Sequence, residues 1–157
     1  MPDVRESYVA VVNQGKFVNL IKIIMFLFLT LNTPIEELQR SFSDRYPFLK
    51  LEFYKPGHAS QDPVVKKHLQ HSLNLRVAGL KKDSVINIHD DLKVLELESV
   101  LRDLGLNAQV SRRSGAMWLE TTMTDNWSLL KQNEHGKEIT LLAVNRSTGS
   151  DTETGRI

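Results

Sequence analysis

The run "IIMFLFL", residues 23–29, constrains the fold of this chain more than any other stretch. A helix that crosses the hydrocarbon of a bilayer needs about 20 consecutive, mostly apolar residues. Here Lys22 closes the run on one side, and Thr30, Asn32 and Pro34 close it on the other. A charge at the centre of a span would cost about 2.5–3.5 kcal/mol on insertion scales. The run has the length of a secretory signal core. However, the residues before it mix Asp3 and Glu6 with Arg5 and Lys16, and no small-residue cleavage pattern follows. Short runs rich in Ile and Phe between turn signals read as strands buried on both faces. The expectation is a central strand of a folded core, with no membrane contact.

Composition agrees with that reading. A chain of 157 residues fits one domain, and a domain of this size buries roughly two-thirds of its unfolded surface. Charged residues are 25% and the hydrophobic set 41%, ordinary values for a globular protein. A net charge of +1 makes no global case for nucleic acid or for a lipid surface. The absence of cysteine removes disulfides, thiolate nucleophiles and cysteine–zinc sites together. It also fits a reducing compartment, so a cytoplasmic location is expected.

The segment "TPIEELQRSF" follows the apolar run. Thr33 and Glu36 have capping-box spacing, Pro34 suits a first helical position, and Ile35, Leu38 and Phe42 share a face. Pro47 predicts a helix end near Tyr46. "FLKLEFY" then alternates as a strand, so the first third reads β–α–β. A second such unit follows: "SVINI", capping carboxylates in His89-Asp90-Asp91, a helix with Val94, Leu97, Leu101 and Leu104 on one face, and a stop at Gly105. "NAQVSRRSGAMWLETT" reads as a hairpin turning at Ser114-Gly115.

Sliding the first unit forward by 59 positions superposes the two without a gap. Ile35 falls on Val94, Leu38 on Leu97, Phe42 on Leu101, Leu49 on Ala108 and Leu51 on Val110. Amphipathic helices followed by strands share such patterns by default, so the match alone does not establish a repeat. If it is a repeat, it predicts an α+β, ferredoxin-like fold, with two β–α–β units in one antiparallel sheet and both helices on one face. The remaining expectations are an N-terminal arm over 1–16, one domain over 17–144 and a disordered tail over 145–157. Within the domain, residues 55–84 read as an insertion. There "LNLRVAG" suggests an added edge strand, and a later helix stopped at Gly136 precedes a last strand, "EITLLAV".

Few residues carry legible chemistry. His68 and His71 share a helical spacing, with His58 nearby, but no third ligand or H-E-x-x-H pattern accompanies them, so solvated histidines are the plainer reading. Neither G-x-S-x-G nor S-x-x-K nor a glycine-rich phosphate loop is present. Neither metal nor cofactor is therefore expected, and an enzyme is disfavoured. Basic residues gather in the insertion, at Lys66, Lys67, Arg76, Lys81 and Lys82, and at the hairpin tip, at Arg112 and Arg113. With sheet-face aromatics they make a candidate single-stranded nucleic-acid surface, although no ribonucleoprotein motif accompanies them. The stretch "MWLETTMTDNW" sets Trp118, Glu120 and Thr122 on one strand face, with Trp127 following, as a candidate ligand pocket. Packing explains the tryptophans more economically.

Fold alone does not give function. The leading expectation is a small non-catalytic accessory or regulatory module that binds a protein partner or its own copy through exposed strand edges. Nucleic-acid binding and a Trp118/Glu120 pocket are the alternatives.

Overall fold

A computed structural model describes residues 24–55 and 67–148. The first unit consists of β1 (Ile24–Leu29), α1 (Ile35–Arg45) and β2 (Leu49–Phe53). A short helix, α2 (Leu75–Ala78), leads into β3 (Ser84–His89), α3 (Val94–Asp103) and β4 (Ala108–Ser114). β5 (Met117–Glu120), a 3-10 turn at 122–124 and the long α4 (Leu129–Thr148) complete the described chain.

The protein is α+β, but its strands do not join into one sheet. Among the described residues β1 pairs only with β3, while β2, β4 and β5 form a second antiparallel sheet in that order. A ferredoxin-like sheet would interleave the strands of the two units; here first strand pairs with first and second with second. The apolar run is thus a strand, though not one covered on both sides. Its inner face, Met25, Leu27 and Leu29, is buried, while Phe28 on the other face is 44% exposed. A two-stranded ribbon with one covering layer leaves its second face open. No helix among the described residues is long and apolar enough to cross a membrane.

The 59-residue displacement reappears in the strand register. At the centre of the β1–β3 ladder Leu27 faces Ile86, and at the centre of the β2–β4 ladder Leu51 faces Val110. Both pairs join residues 59 apart in sequence, so each ladder is centred on its own equivalents. Antiparallel pairing of equivalent strands about such a centre is an approximate twofold relation. Side chains from the helices follow it. Gln39 Nε2 donates to the Leu51 carbonyl at 2.7 Å, and its equivalent Glu98 accepts from the Val110 N–H at 2.9 Å.

The relation extends to α2 and α4, displaced by 54 positions instead of 59. Leu75 N–H donates to Thr33 O and Ile35 N–H to Leu73 O; in the second half Leu129 N–H donates to Leu92 O and Val94 N–H to Trp127 O. Each segment is capped alike. The Asn74 side chain accepts from Val77 N–H at 3.1 Å, and the Ser128 hydroxyl accepts from Lys131 N–H at 3.2 Å. One continuous core joins both halves, with Ile35, Leu38 and Phe42 of α1 and Val94, Leu97 and Leu101 of α3 all buried.

Several local expectations give way to tertiary context. "LNLRVAG" is not an edge strand: the Asn74 cap starts α2, which ends at Gly79 in a left-handed conformation. "EITLLAV" is helical, because α4 runs through Gly136 instead of stopping there, and its helix continues past Asn145 to Thr148. A Cβ on Gly136 would stand 2.9 Å from Arg112 Cγ and 3.0 Å from Phe48 Cβ, so this glycine serves a close crossing and not a helix end. Thr33 does not form a capping box; its hydroxyl bonds Thr30, and Pro34 occupies the cap position. The Asp90 carboxylate does not cap α3; it takes Arg45 Nη2 at 2.8 Å and the Tyr46 hydroxyl at 3.0 Å. At α3 the Glu96 carboxylate accepts from Lys93 N–H instead. The β4–β5 turn centres on residues 115 and 116, one position later than expected, with Gly115 at φ +62°. The expected arm over 1–16, the residues after Thr148 and much of the insertion lie outside the described residues.

Candidate functional site

Strand alternation separates the two tryptophans. Arg112 and Arg113 are neighbours on β4, so their side chains leave opposite faces of the sheet. Trp118 is paired with Arg113 across the β4–β5 ladder and lies on the outer face. Its ring has Lys50 Nζ at 4.9 Å and the Arg113 guanidinium at 6.0 Å, both within cation–π reach. Glu120 shares that outer face, while Thr122 lies beyond β5, where its hydroxyl accepts from Gln109 Nε2 at 3.2 Å. Nearby, Lys50 is ion-paired with Glu52, and the Tyr54 hydroxyl donates to Glu52 Oε2 at 3.2 Å. Burial first, then the carboxylates of Glu52, Glu120 and Glu98, push the Tyr54 phenol well above its ordinary range.

Trp127 belongs to the other side, at the foot of α4. Lys131 Nζ lies 4.1 Å from its ring centre, the Arg112 guanidinium 5.9 Å, and the His135 ring meets it edge-on at 5.4 Å. Arg112 Nη1 donates to Gln132 Oε1 at 2.6 Å, and Gln132 Nε2 donates in turn to the carbonyl and hydroxyl oxygens of Thr124. Gln132, a residue of α4, is fully buried. Burial depresses the Arg112 guanidinium below its ordinary value. The four pocket candidates therefore do not meet: Trp118 and Glu120 share one face, and Trp127 sits on the other.

The basic candidates separate as well. Arg76, Lys81 and Lys82 are exposed around α2 and the connection to β3, and the Lys67 carbonyl accepts from Lys55 N–H. The Gly79 carbonyl of that connection approaches Gly105 near the start of β4, whereas Arg112 and Arg113 stand at its far end. At roughly 3.3 Å per residue, the strand keeps them about 20 Å apart. Lys66 lies outside the described residues. The histidines do not converge either. His68 lies against Tyr54 and Glu52, and His71 Nδ1 bonds Gln39. Among the described residues no group of three acidic or histidine side chains is placed to hold a metal.

A different feature offers a concave surface. A shallow cleft of about 20 Å³, open to solvent, is lined by Met25, Phe26, Leu27 and Phe28 of β1 with Thr33, Glu37, Leu38 and Ser41. Consecutive strand side chains alternate faces, so a lining of four consecutive residues places the cleft along the edge of β1. That edge has no ladder partner among the described residues. Glu37, Leu38 and Ser41 form one stripe of α1 opposite it. The sequence carried no signal for this cleft, because an open edge is a property of strand order.

The chain matches no protein-family model, no curated protein and no solved structure.

Proposed function

We propose that this protein is a non-catalytic recognition module, acting in the cytoplasm, that takes up an extended segment of a partner protein along the edge of β1 that has no ladder partner among the described residues. The observation that carries this reading is the cleft between that edge and α1. An unpaired strand offers main-chain hydrogen bonds every second residue, and a facing helix adds side-chain selectivity. Leu27 and Leu38 give the cleft an apolar floor, and Glu37, Ser41 and Thr33 give it a polar rim. A segment alternating apolar and polar residues, with Lys or Arg opposite Glu37, fits that lining. Pairing of β1 with β1 of a second copy is the self-association form of the same geometry.

Selection of peptides from a random display library tests the proposal. Selected sequences should share the alternation and the basic residue, and their binding should protect amides of residues 24–29 from hydrogen exchange. Glu37→Lys should weaken binding at least tenfold, and Ser41→Arg should block the cleft. Selected peptides that protect other segments, or that tolerate both substitutions, would overturn it. Light scattering across concentrations reports the self-associated form.

A second reading is favoured by one observation: Trp118, 37% exposed, lies between Lys50 and Arg113 on the outer face of an open sheet. Indole platforms flanked by cations stack single-stranded bases, with binding that weakens steeply as salt rises. Loss of oligonucleotide binding in Trp118→Ala, with the fold intact, would support it. No binding at low salt would end it.

A further inference from the structure

We propose that Arg112 and Lys131, meeting at the Trp127 ring, bind the phosphate monoester of a small molecule. Arg112 is half-buried and Lys131 is exposed, and among the described residues the other half-buried lysine and arginine side chains are paired. Arg45 has Asp90 at 2.8 Å, and Lys50 has Glu52. Neither Arg112 nor Lys131 has a carboxylate within ion-pair distance among the described residues. Arg112 Nη1 is engaged by Gln132, but its Nε is buried and has no hydrogen-bond partner.

The other half of the molecule shows that this polarity is not required for packing. By the twofold relation Arg112 corresponds to Phe53, Gln132 to Ala78, Lys131 to Val77 and Trp127 to Leu73. There the equivalent positions are apolar, with Phe53 2% and Ala78 1% exposed and Val77 55% exposed. A guanidinium and an amide placed in a position the fold can fill with hydrocarbon mark a departure typical of functional sites. Gln132 is held by Thr124, so it fixes the guanidinium without neutralising it.

The charge state selects the ligand. The guanidinium fork matches two oxygens of one oxyanion, and the Lys131 ammonium supplies a second positive charge at the same indole ring. A phosphate monoester carries a charge of about −1.5 to −2 at neutral pH, which balances the two cations. A phosphodiester or a carboxylate carries one charge and balances half of them. This site lies on the opposite face of the sheet from Trp118 and does not depend on the β1 cleft.

Trp118→Phe leaves Trp127 as the single tryptophan and so as its own reporter. Its fluorescence is followed against inorganic phosphate, a nucleoside monophosphate and a dinucleoside phosphodiester, at constant ionic strength set with chloride. Calorimetry on the unsubstituted chain repeats the titrations. A saturating response to phosphate and to the monophosphate is expected, at least tenfold weaker for the diester. Lys131→Gln should weaken it at least threefold. Arg112→Phe, which installs the first-half residue, should fold and abolish saturation; if it does not fold, Arg112→Lys, lacking the fork, should weaken binding at least threefold. A response no different from that to added chloride, saturation unchanged by Lys131→Gln, or a response to oligonucleotide alone would overturn the proposal.

Discussion

The two halves of this molecule solve the same packing problem with different chemistry. In the first half Phe53 of β2 and Leu75 and Ala78 of the one-turn helix α2 are all buried and apolar. In the second half the equivalent positions hold Arg112, Leu129 and Gln132, and the helix continues for 20 residues instead of 4. Only the leucine is retained. The comparison separates what the architecture needs, an apolar anchor at the first helical position, from what it tolerates around that anchor.

The largest expected effects test whether the halves contribute equally. Phe42 and Leu101 occupy equivalent positions on α1 and α3 and are both fully buried. Truncation of a buried side chain costs its transfer energy and leaves a cavity. Phe42→Ala should therefore destabilise by about 3–5 kcal/mol, and Leu101→Ala by about 2–5 kcal/mol. Urea unfolding with unchanged slope measures both. A cost for Leu101→Ala below about 1 kcal/mol would show that the second half packs loosely and break the equivalence.

The long α4 supplies the next test, because beyond Gln132 it has no counterpart in the first half. Gly136 lets it cross β4 at contact distance, and an added Cβ would stand 3.2 Å from the Phe48 carbonyl oxygen, a backbone atom that cannot rotate aside. Alanine favours helix over glycine by about 1 kcal/mol. Overpacking of this kind costs about 1–3 kcal/mol. Gly136→Ala should thus be neutral to about 2 kcal/mol destabilising. A clear gain in thermal stability would mean that α4 can lift from the sheet.

How much of this was legible in the sequence follows from the range of each interaction. The helix stripes Ile35-Leu38-Phe42 and Val94-Leu97-Leu101 are local periodicities, and the structure keeps them. The 59-residue displacement was also visible, and carried two residues further it would have set Arg112 against Phe53. Strand order was not visible, since alternation fixes which face is buried and not which strand lies alongside. Helix α2 was missed because Leu73, Leu75 and Val77 alternate like a strand, while the Asn74 cap and the carbonyl of Thr33 decide otherwise. The match of α2 to α4 was hidden because their displacement differs from that of the preceding elements. The Trp127 cluster needed both the strand face of Arg112 and the packing of α4 against β4.

The two caps provide a finer test of symmetry. Asn74 and Ser128 each accept a main-chain N–H three residues on. Replacing such a residue by alanine costs about 0.5–2 kcal/mol. Asn74→Ala and Ser128→Ala should therefore fall within about 0.5 kcal/mol of each other, by chemical denaturation. A cost confined to Asn74 would show that the long helix is held by its packing on β4 and not by its first turn.

The smallest expected effect belongs to one half alone. Glu52 is a partly buried carboxylate, and burial by itself would raise its pKa. The hydrogen bond and charge of Lys50, joined by His68 and Tyr54, outweigh burial and hold it below the usual carboxylate range. A group depressed in the folded state stabilises the fold above its unfolded pKa, and that contribution fades as pH falls through the folded value. The advantage of the parent chain over Glu52→Gln should therefore be constant near neutral pH, at about 0.5 kcal/mol. It should vanish as the solution is acidified below about pH 4.3, the ordinary glutamate value. The equivalent position in the second half is Ser111, which is buried and carries no charge. Ser111→Ala should change stability by the same amount at every pH, so urea midpoints between pH 7 and pH 3 for both variants assign the acid sensitivity of this face to the first half. A parallel acid dependence in both variants would place it elsewhere.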